Sequence, residues 1–571
     1  MNIKQKFIRL IPLFLCTIMA TSHFSACEVT IIINSPLKYE QIAGQEAYRV
    51  VDIAPKKLPS EKLDIVIPNK HKGFPVIEIG DSAFQDVSYV NSVIIPNSVI
   101  SIGENAFKNC EGLTAITIPD SVTRIGQYTF ENCDGLTSIA LPDSITHIDN
   151  STFIYCDNLT SVIMGNSVTS IGTHAFWGCS SLTDISLPSS LSFIGREIFQ
   201  YCDSLTYHEQ DGLLYLGNSN NPTLYLAGSA PSTTEIIIDG NCKFIADFAF
   251  HDNDTILHAQ IPDSVAYIGA GAFWNCDELE HTVKDGLQYI GNEKNPYLYL
   301  VNSEKIVPDQ IYVAETCKFI GTTIFKHQYN VSHISIPASV EQIQIETFSE
   351  CLGLASIEVD ENNPYFQSID GNLYSKDSAT LLRYTPSNPA DSFVVPDFVN
   401  KIGEYAFYKC NNLRNVTIPN SVTKIGNSAF SQCTNLIRIE IPDSITVIEE
   451  FSFFACDELA SVILPNTVTR IEKSAFSHCD KLTELQLGNS LEYIGLTAFV
   501  FCRNLPRVTI PNSVTTICEA AFGACLNLTE ILFNGTIDEW NKIEKGYQWN
   551  HNIPTTKILC YTEANIQQTE K

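Results

Sequence analysis

Leu113-Thr114-Ala115-Ile116-Thr117-Ile118-Pro119-Asp120-Ser121-Val122-Thr123-Arg124-Ile125-Gly126-Gln127-Tyr128-Thr129-Phe130-Glu131-Asn132-Cys133 is the stretch that decides the fold. Leu113, Ile116 and Ile118 set an apolar, strand-like alternation against Thr114 and Thr117. Pro119 stops it where no further ladder N–H is wanted, and Asp120-Ser121 turns the chain. Val122 and Ile125 make a second short apolar pair before Gly126, and the segment with Phe130 and Cys133 forms the outer wall of the unit.

The stretch recurs every 23 residues. Phe84, Phe107, Phe130, Phe153, Phe176 and Phe199 mark one block, and Phe407, Phe430, Phe453, Phe476, Phe499 and Phe522 another. Phe250, Phe273, Phe325 and Phe348 lie between them, making sixteen units with three longer gaps. An Ile stands five residues before every one of these Phe, from Ile79 to Ile517. A fixed period of this length is the signature of a repeat solenoid, in which no unit buries its own Ile, Phe and Leu and stacking makes one continuous core. Parallel stacking would place neighbouring coils about 4.8 Å apart.

The residues resemble a known family, the BspA-like leucine-rich repeat proteins of bacterial and some protist cell surfaces. Ile118-Pro119-Asp120-Ser121-Val122, Ile125-Gly126 and the Ala-Phe-x-x-Cys motif, as at Ala106-Phe107 and Cys110, carry the likeness. The resemblance implies a leucine-rich repeat solenoid, a right-handed β-rich horseshoe or rod, and adhesion to host matrix proteins or other microbes. It also implies an N-terminal cap over 27–78, a repeat array over 79–533, and a C-terminal cap and tail over 534–571 in which Trp540 and Trp549 shield the last coil.

The three gaps of 51, 52 and 59 residues equal one repeat plus 28, 29 and 36, so the array keeps its register across them. Asp211-Gly212-Leu213-Leu214-Tyr215, Asp285-Gly286-Leu287-Gln288-Tyr289 and Asp370-Gly371-Asn372-Leu373-Tyr374 mark inserted β-hairpins near 211–238, 285–313 and 360–395. The first two begin where other units place the Pro, so the hairpins are expected to project from one edge, either stiffening the sheet or touching a ligand.

The chain has 571 residues, and 44% in the hydrophobic set is ample for a core. A formal charge of −29 argues against nucleic acid, whose phosphates require clustered Lys and Arg, and disfavours anionic membrane surfaces. Lys4, Lys6 and Arg9 precede an apolar run from Leu10 to Ala20, the pattern of a secretory signal over 1–26. Phe24-Ser25-Ala26-Cys27 resembles a bacterial lipobox with Phe24 where Leu is usual, so Cys27 is either an acylated anchor or, after ordinary secretion, a loop thiol.

Thirteen of the 19 Cys stand three residues after the repeat Phe: Cys110, Cys133, Cys156, Cys179, Cys202, Cys276, Cys351, Cys410, Cys433, Cys456, Cys479, Cys502 and Cys525. One small thiol per coil fits an interior ladder of free thiols, because parallel side-chain vectors do not meet as disulfides without distortion. The Cys and His spacings match no zinc motif, and no Ser, Cys or carboxylate constellation has catalytic spacing. No enzyme activity, cofactor or metal is expected. His251-Asp252-Asn253-Asp254 is the densest polar cluster and reads as a solvated loop.

Just after the Phe, where most units are polar, stand Tyr155, Trp177, Tyr201 and Trp274, with Phe454 and Phe501 later. Facing outward they would form an aromatic contact stripe; facing inward they would only line the wall. The leading expectation is an exported cell-surface binding protein, an adhesin whose partner is a protein or glycan on a host or microbial surface. Membrane contact would come only through the N-terminal lipid. A structural envelope scaffold and a glycan-binding accessory are the alternatives.

Overall fold

The computed structural model describes residues 37–53, 62–305, 307–377, 379–553, 557–562 and 565–569; the expected secretory signal over 1–26 and Cys27 lie outside them. The described residues fall into two compact units, divided after Thr206, and each is built as a β-solenoid of stacked coils. A typical coil has two strands. In the coil of the quoted stretch these are Ala115–Thr117 and Arg124–Ile125, separated by the turn in which Val122 N donates to Pro119 O.

Coils stack in parallel with a step of one repeat, so like residues meet like. Ser138, Ile139 and Ala140 pair with Ser161, Val162 and Ile163 in the first ladder, and Ser170 and Ile171 with Phe193 and Ile194 in the second. The turn hydroxyl adds a third link: Ser121 Oγ donates to Val99 O at 2.7 Å, and Ser144 to Val122 O at 2.6 Å. Ser421, Ser444 and Ser513 do the same in their turns, whereas the Ser264 hydroxyl makes no such bond. In the second unit one first-strand ladder grows to a nine-stranded sheet that begins at Ser392–Val394.

The outer wall runs as consecutive turns, yet its amides also bridge coils. Asn105 N, Phe107 N and Asn109 N donate to Gln127, Thr129 and Glu131 O at 3.1, 2.9 and 2.8 Å. Aiming every second amide the same way draws the residues two before and two after each Phe into the left-handed region, as with φ +53° at Asn105 and +58° at Asn109. The repeat template is blank at both positions, so this feature escapes sequence reading. A Cβ there costs about 1–2 kcal/mol, against about 0.5–1 kcal/mol for glycine's extra chain entropy. Ala455→Gly, at φ +52°, should therefore raise stability by about 0.5 kcal/mol in urea unfolding. Ala475→Gly, buried beside Phe476 without a positive φ, should lower it by about 1 kcal/mol.

Inside the wall the repeat Phe rings lie in a row. In the first unit successive centroids from Phe84 to Phe199 are 4.9, 5.6, 5.3, 5.3 and 5.7 Å apart and near parallel. In the second unit the row from Phe407 to Phe522 has spacings of 4.6 to 5.4 Å. Tyr384, 23 residues before Phe407, extends it at 5.3 Å.

The inserts differ from projecting hairpins. His208–Gln210 pairs antiparallel with Leu213–Leu216, which pairs antiparallel with Tyr225–Ser229, and that strand runs parallel to Phe244–Ile245 of the next coil. The same meander recurs over Thr282–Lys284, Leu287–Ile290 and Tyr299–Ser303, and over Phe366–Ile369, Asn372–Ser375 and Thr380–Arg383. Each Asp-Gly turn has positive φ at both residues, +52° and +78° at Asp211-Gly212, as a two-residue type I′ turn requires. Leu213, Tyr215 and Leu226 are 1%, 1% and 0% exposed. The physical reason is that the second and third strands of these inserts carry an apolar face that the solenoid core takes in, while the first strands His208–Gln210 and Thr282–Lys284 stay at the surface. The Tyr215 and Tyr289 hydroxyls accept from Asp239 N and Ala314 N, so their polar tips close a turn of the following coil.

At the C-terminal end a short helix, α1 (Ile537–Lys542), starts at a reciprocal cap in which Glu539 N donates to Thr536 Oγ1 and Thr536 N to Glu539 Oε2. It presents buried Trp540 to Phe533 at 5.4 Å, while Trp549 meets Phe522 edge-on at 6.3 Å.

Candidate binding surfaces

The thirteen ladder thiols point into the core. All 17 cysteines of the described residues are free, and all but Cys518 are buried. Most ladder thiols donate to the carbonyl of the preceding coil's Phe, as Cys133 Sγ to Phe107 O at 3.1 Å and Cys456 Sγ to Phe430 O at 3.2 Å. Burial pushes Cys156 up to about 12, so at neutral pH the thiol stays protonated and poorly nucleophilic.

Tyr155, Trp177 and Tyr201, the aromatic candidates of the first unit, touch one another. Tyr155 meets Trp177 edge-to-face at 4.7 Å and Trp177 meets Tyr201 at 4.9 Å, the geometry that ring quadrupoles favour. Tyr155 and Tyr201 are 43% and 57% exposed and Trp177 is half-buried. Gly178 makes room for them: at φ +74° it occupies a left-handed wall position, and a Cβ there would come 3.0 Å from Tyr155 Cδ1. In the second unit Phe454, His478 and Phe501 form a similar run at 5.5 and 4.6 Å.

Trp274, in the second unit, is 46% exposed and has the His251 ring at 5.0 Å. It lines a cavity of about 540 Å³ with Asn275, Gln288, Asn302, Lys305 and His327. His281, also in the lining, has its pKa lowered by burial, which favours the neutral ring. Sequence reading had no signal for this cavity, because the second insert contributes Gln288 and Asn302 through an antiparallel register that the 23-residue period does not encode.

A further surface is the outward face of the nine-stranded sheet. Val394, Thr417 and Glu440 form one register row, and Ile463, Gln486, Thr509 and Leu532 another. Val394 and Ile463 are 67% and 47% exposed, and Thr417, Glu440 and Gln486 are exposed beside them. Apolar and polar side chains thus share this face. Among the described residues no helix is long and apolar enough to cross a membrane, and no three His, Cys, Asp or Glu gather as metal ligands would.

The family model for the BspA type leucine rich repeat region matches in six copies, over 77–206, 227–295, 318–388, 384–499 and 448–558. The chain belongs to the BspA-type leucine-rich repeat family. The family's repeat accounts for the Phe row, the thiol ladder and the strand ladders of this BspA-type array. The chain is similar to a leucine-rich cell surface protein from Faecalibacterium prausnitzii, with 25% identity over 89% of this chain and 96% of that one and a TM-score of 0.31. It is similar to a leucine-rich repeat protein from Bacteroides ovatus, with 22% identity over 93% and 100% and a TM-score of 0.33. It is also similar to the pneumococcal vaccine antigen PcpA, with 16% identity over 94% and 99% and a TM-score of 0.33. No curated protein matches the sequence.

Proposed function

We propose that this BspA-type protein is an exported cell-surface binding protein, an adhesin that holds a host or microbial surface macromolecule by many weak contacts along its coils. The observation that carries the reading is the Tyr155–Trp177–Tyr201 run. Tyr155 and Tyr201 are exposed and flank the half-buried Trp177, so burial of this run against a partner would gain apolar contact, and residues of this type dominate interface energetics. The solenoid supplies a rigid frame, so little ordering entropy opposes binding.

Two measurements test the reading in sequence. Protease treatment of intact cells should shave the protein, and Cys27→Ala should release it into the medium if Cys27 is the lipid anchor. Resistance until the outer membrane is opened would favour a periplasmic scaffold. Trp177→Ala should then weaken capture of a surface partner at least tenfold, the effect of losing about 1.4 kcal/mol or more at a hot spot, with an unchanged thermal midpoint. Unaltered capture would remove the run from the contact surface.

The Trp274 cavity favours a second reading, a glycan partner. Its ring and the amides of Gln288 and Asn302 combine an apolar face with hydrogen-bonding groups, the mixture that seats small polar ligands. Trp274→Ala should abolish retention on glycan arrays while leaving protein ligands bound.

A further inference from the structure

Over residues 127–206, the coils that carry Tyr155, Trp177 and Tyr201, the sequence holds eight Asp and Glu against a single Lys or Arg, Arg196. Three of these acids share the outer wall with the rings. Asp134, Asp157 and Asp203 each follow a ladder Cys directly, so they occupy one position of the repeat and form a row three coil steps long, about 14 Å at the usual strand spacing. Asp157 and Asp203 stand two residues after Tyr155 and Tyr201 and are exposed with them.

Among the described residues none of these three carboxylates has an ion-pair partner. Lys108, on an earlier coil, is taken up by Glu131 at 2.7 Å. Burial and the nearby Asp134 raise the Asp157 carboxyl above its ordinary value, and burial, Glu131 and Asp157 raise the Tyr155 hydroxyl. Negative charge thus crowds the aromatic run without a cation to answer it.

The face of an aromatic ring is itself the negative end of a quadrupole and attracts a Lys or Arg held over it, while a carboxylate beside the ring adds a charge-assisted hydrogen bond. Tyr155 and Tyr201 lie two coil steps apart, about 10 Å, each with its own Asp, so the surface offers two such seats in line. A lone ammonium fills one seat. A chain with several basic side chains fills both and faces Asp134 as well.

We propose that the Tyr155–Trp177–Tyr201 run docks a Lys- and Arg-rich polypeptide segment, whose cations lie over the two tyrosine rings and pair with Asp157 and Asp203. The inference rests on the proposed role of this run as a contact surface and gives the partner a charge and a class.

The probe is a fluorescein-labelled peptide of alternating Arg and Ser, titrated with the full chain at physiological salt and followed by anisotropy, beside the same peptide with citrulline for every Arg. Citrulline keeps the shape and removes the charge, and should weaken binding at least tenfold. Tyr201→Leu, which keeps apolar area but loses the ring face, and Asp203→Asn should each weaken the arginine peptide at least threefold. Asp443→Asn, at an exposed turn of the second unit, should leave it unchanged. Tyr201 and Asp203 are both exposed, so the thermal midpoints of their variants should match the wild type. The proposal is overturned if the citrulline peptide binds as tightly, or if Asp443→Asn weakens binding as much as Asp203→Asn, the mark of diffuse attraction to an acidic chain. It falls alone, with the contact surface standing, if Trp177→Ala weakens capture of the surface partner while Tyr201→Leu and Asp203→Asn leave the arginine peptide bound as before.

Discussion

Raising the pH from 9 to 10 is expected to remove about 6 kcal/mol from the stability of the block that carries Cys410, Cys433, Cys456, Cys479, Cys502 and Cys525. Burial holds Cys410 and Cys525 up at about 12 and the other four well above the ordinary thiol value of 9.0. The folded block keeps its six protons while the unfolded chain releases them. The stability these thiols contribute is therefore complete below the ordinary thiol pKa and is lost as pH rises from there toward the folded values. Each thiol approaches a slope of about 1.4 kcal/mol per pH unit once the unfolded chain is mostly ionised. Urea midpoints at pH 7.5, 8.5, 9.5 and 10 measure the effect, in a window below most lysine titration. Replacing Cys433 and Cys456 together by alanine should reduce the slope by about a third. A midpoint that stays level from pH 8 to 10 would mean that the ladder is not buried as protonated thiols.

Phe453→Ala should destabilise the same block by about 3–5 kcal/mol. Phe453 is fully buried between Phe430 at 5.3 Å and Phe476 at 5.1 Å, with rings within 8° of parallel. The substitution removes the apolar transfer term, leaves a cavity that two rigid neighbours cannot fill, and breaks two aromatic contacts of about 0.5–1.5 kcal/mol each. Stability in a repeat array is carried by nearest-neighbour interfaces, so the loss should also split a single denaturant transition into two. Phe453→Leu, which keeps most of the volume, should cost clearly less and leave the transition single. A single unsplit transition and a loss under about 1 kcal/mol in the alanine variant would show that the ring row does not couple the coils.

Much of this could be read before any coordinates. The Ile five residues before each Phe and the Cys three after it recur because each coil packs on the coil 23 residues away, so the packing partner of a side chain is another copy of itself. Tyr384 was also within reach, since counting 23 back from Phe407 lands on it, but an aromatic replacement hides from a search for Phe. Tyr155, Trp177 and Tyr201 stood out by composition alone, whereas their mutual edge-to-face contacts depend on Gly178, a residue unremarkable in sequence.

The periodic sequence by itself determined the coil, the two strand ladders, the Phe row and the interior thiols, because contacts at one fixed separation leave a matching period in the chain. Tertiary structure alone decided the left-handed pair flanking each Phe, the folding of the inserts into the core and the Trp274 cavity. Those features rest on backbone geometry that many side chains tolerate, and on antiparallel contacts whose separations do not repeat. No periodic pattern records them.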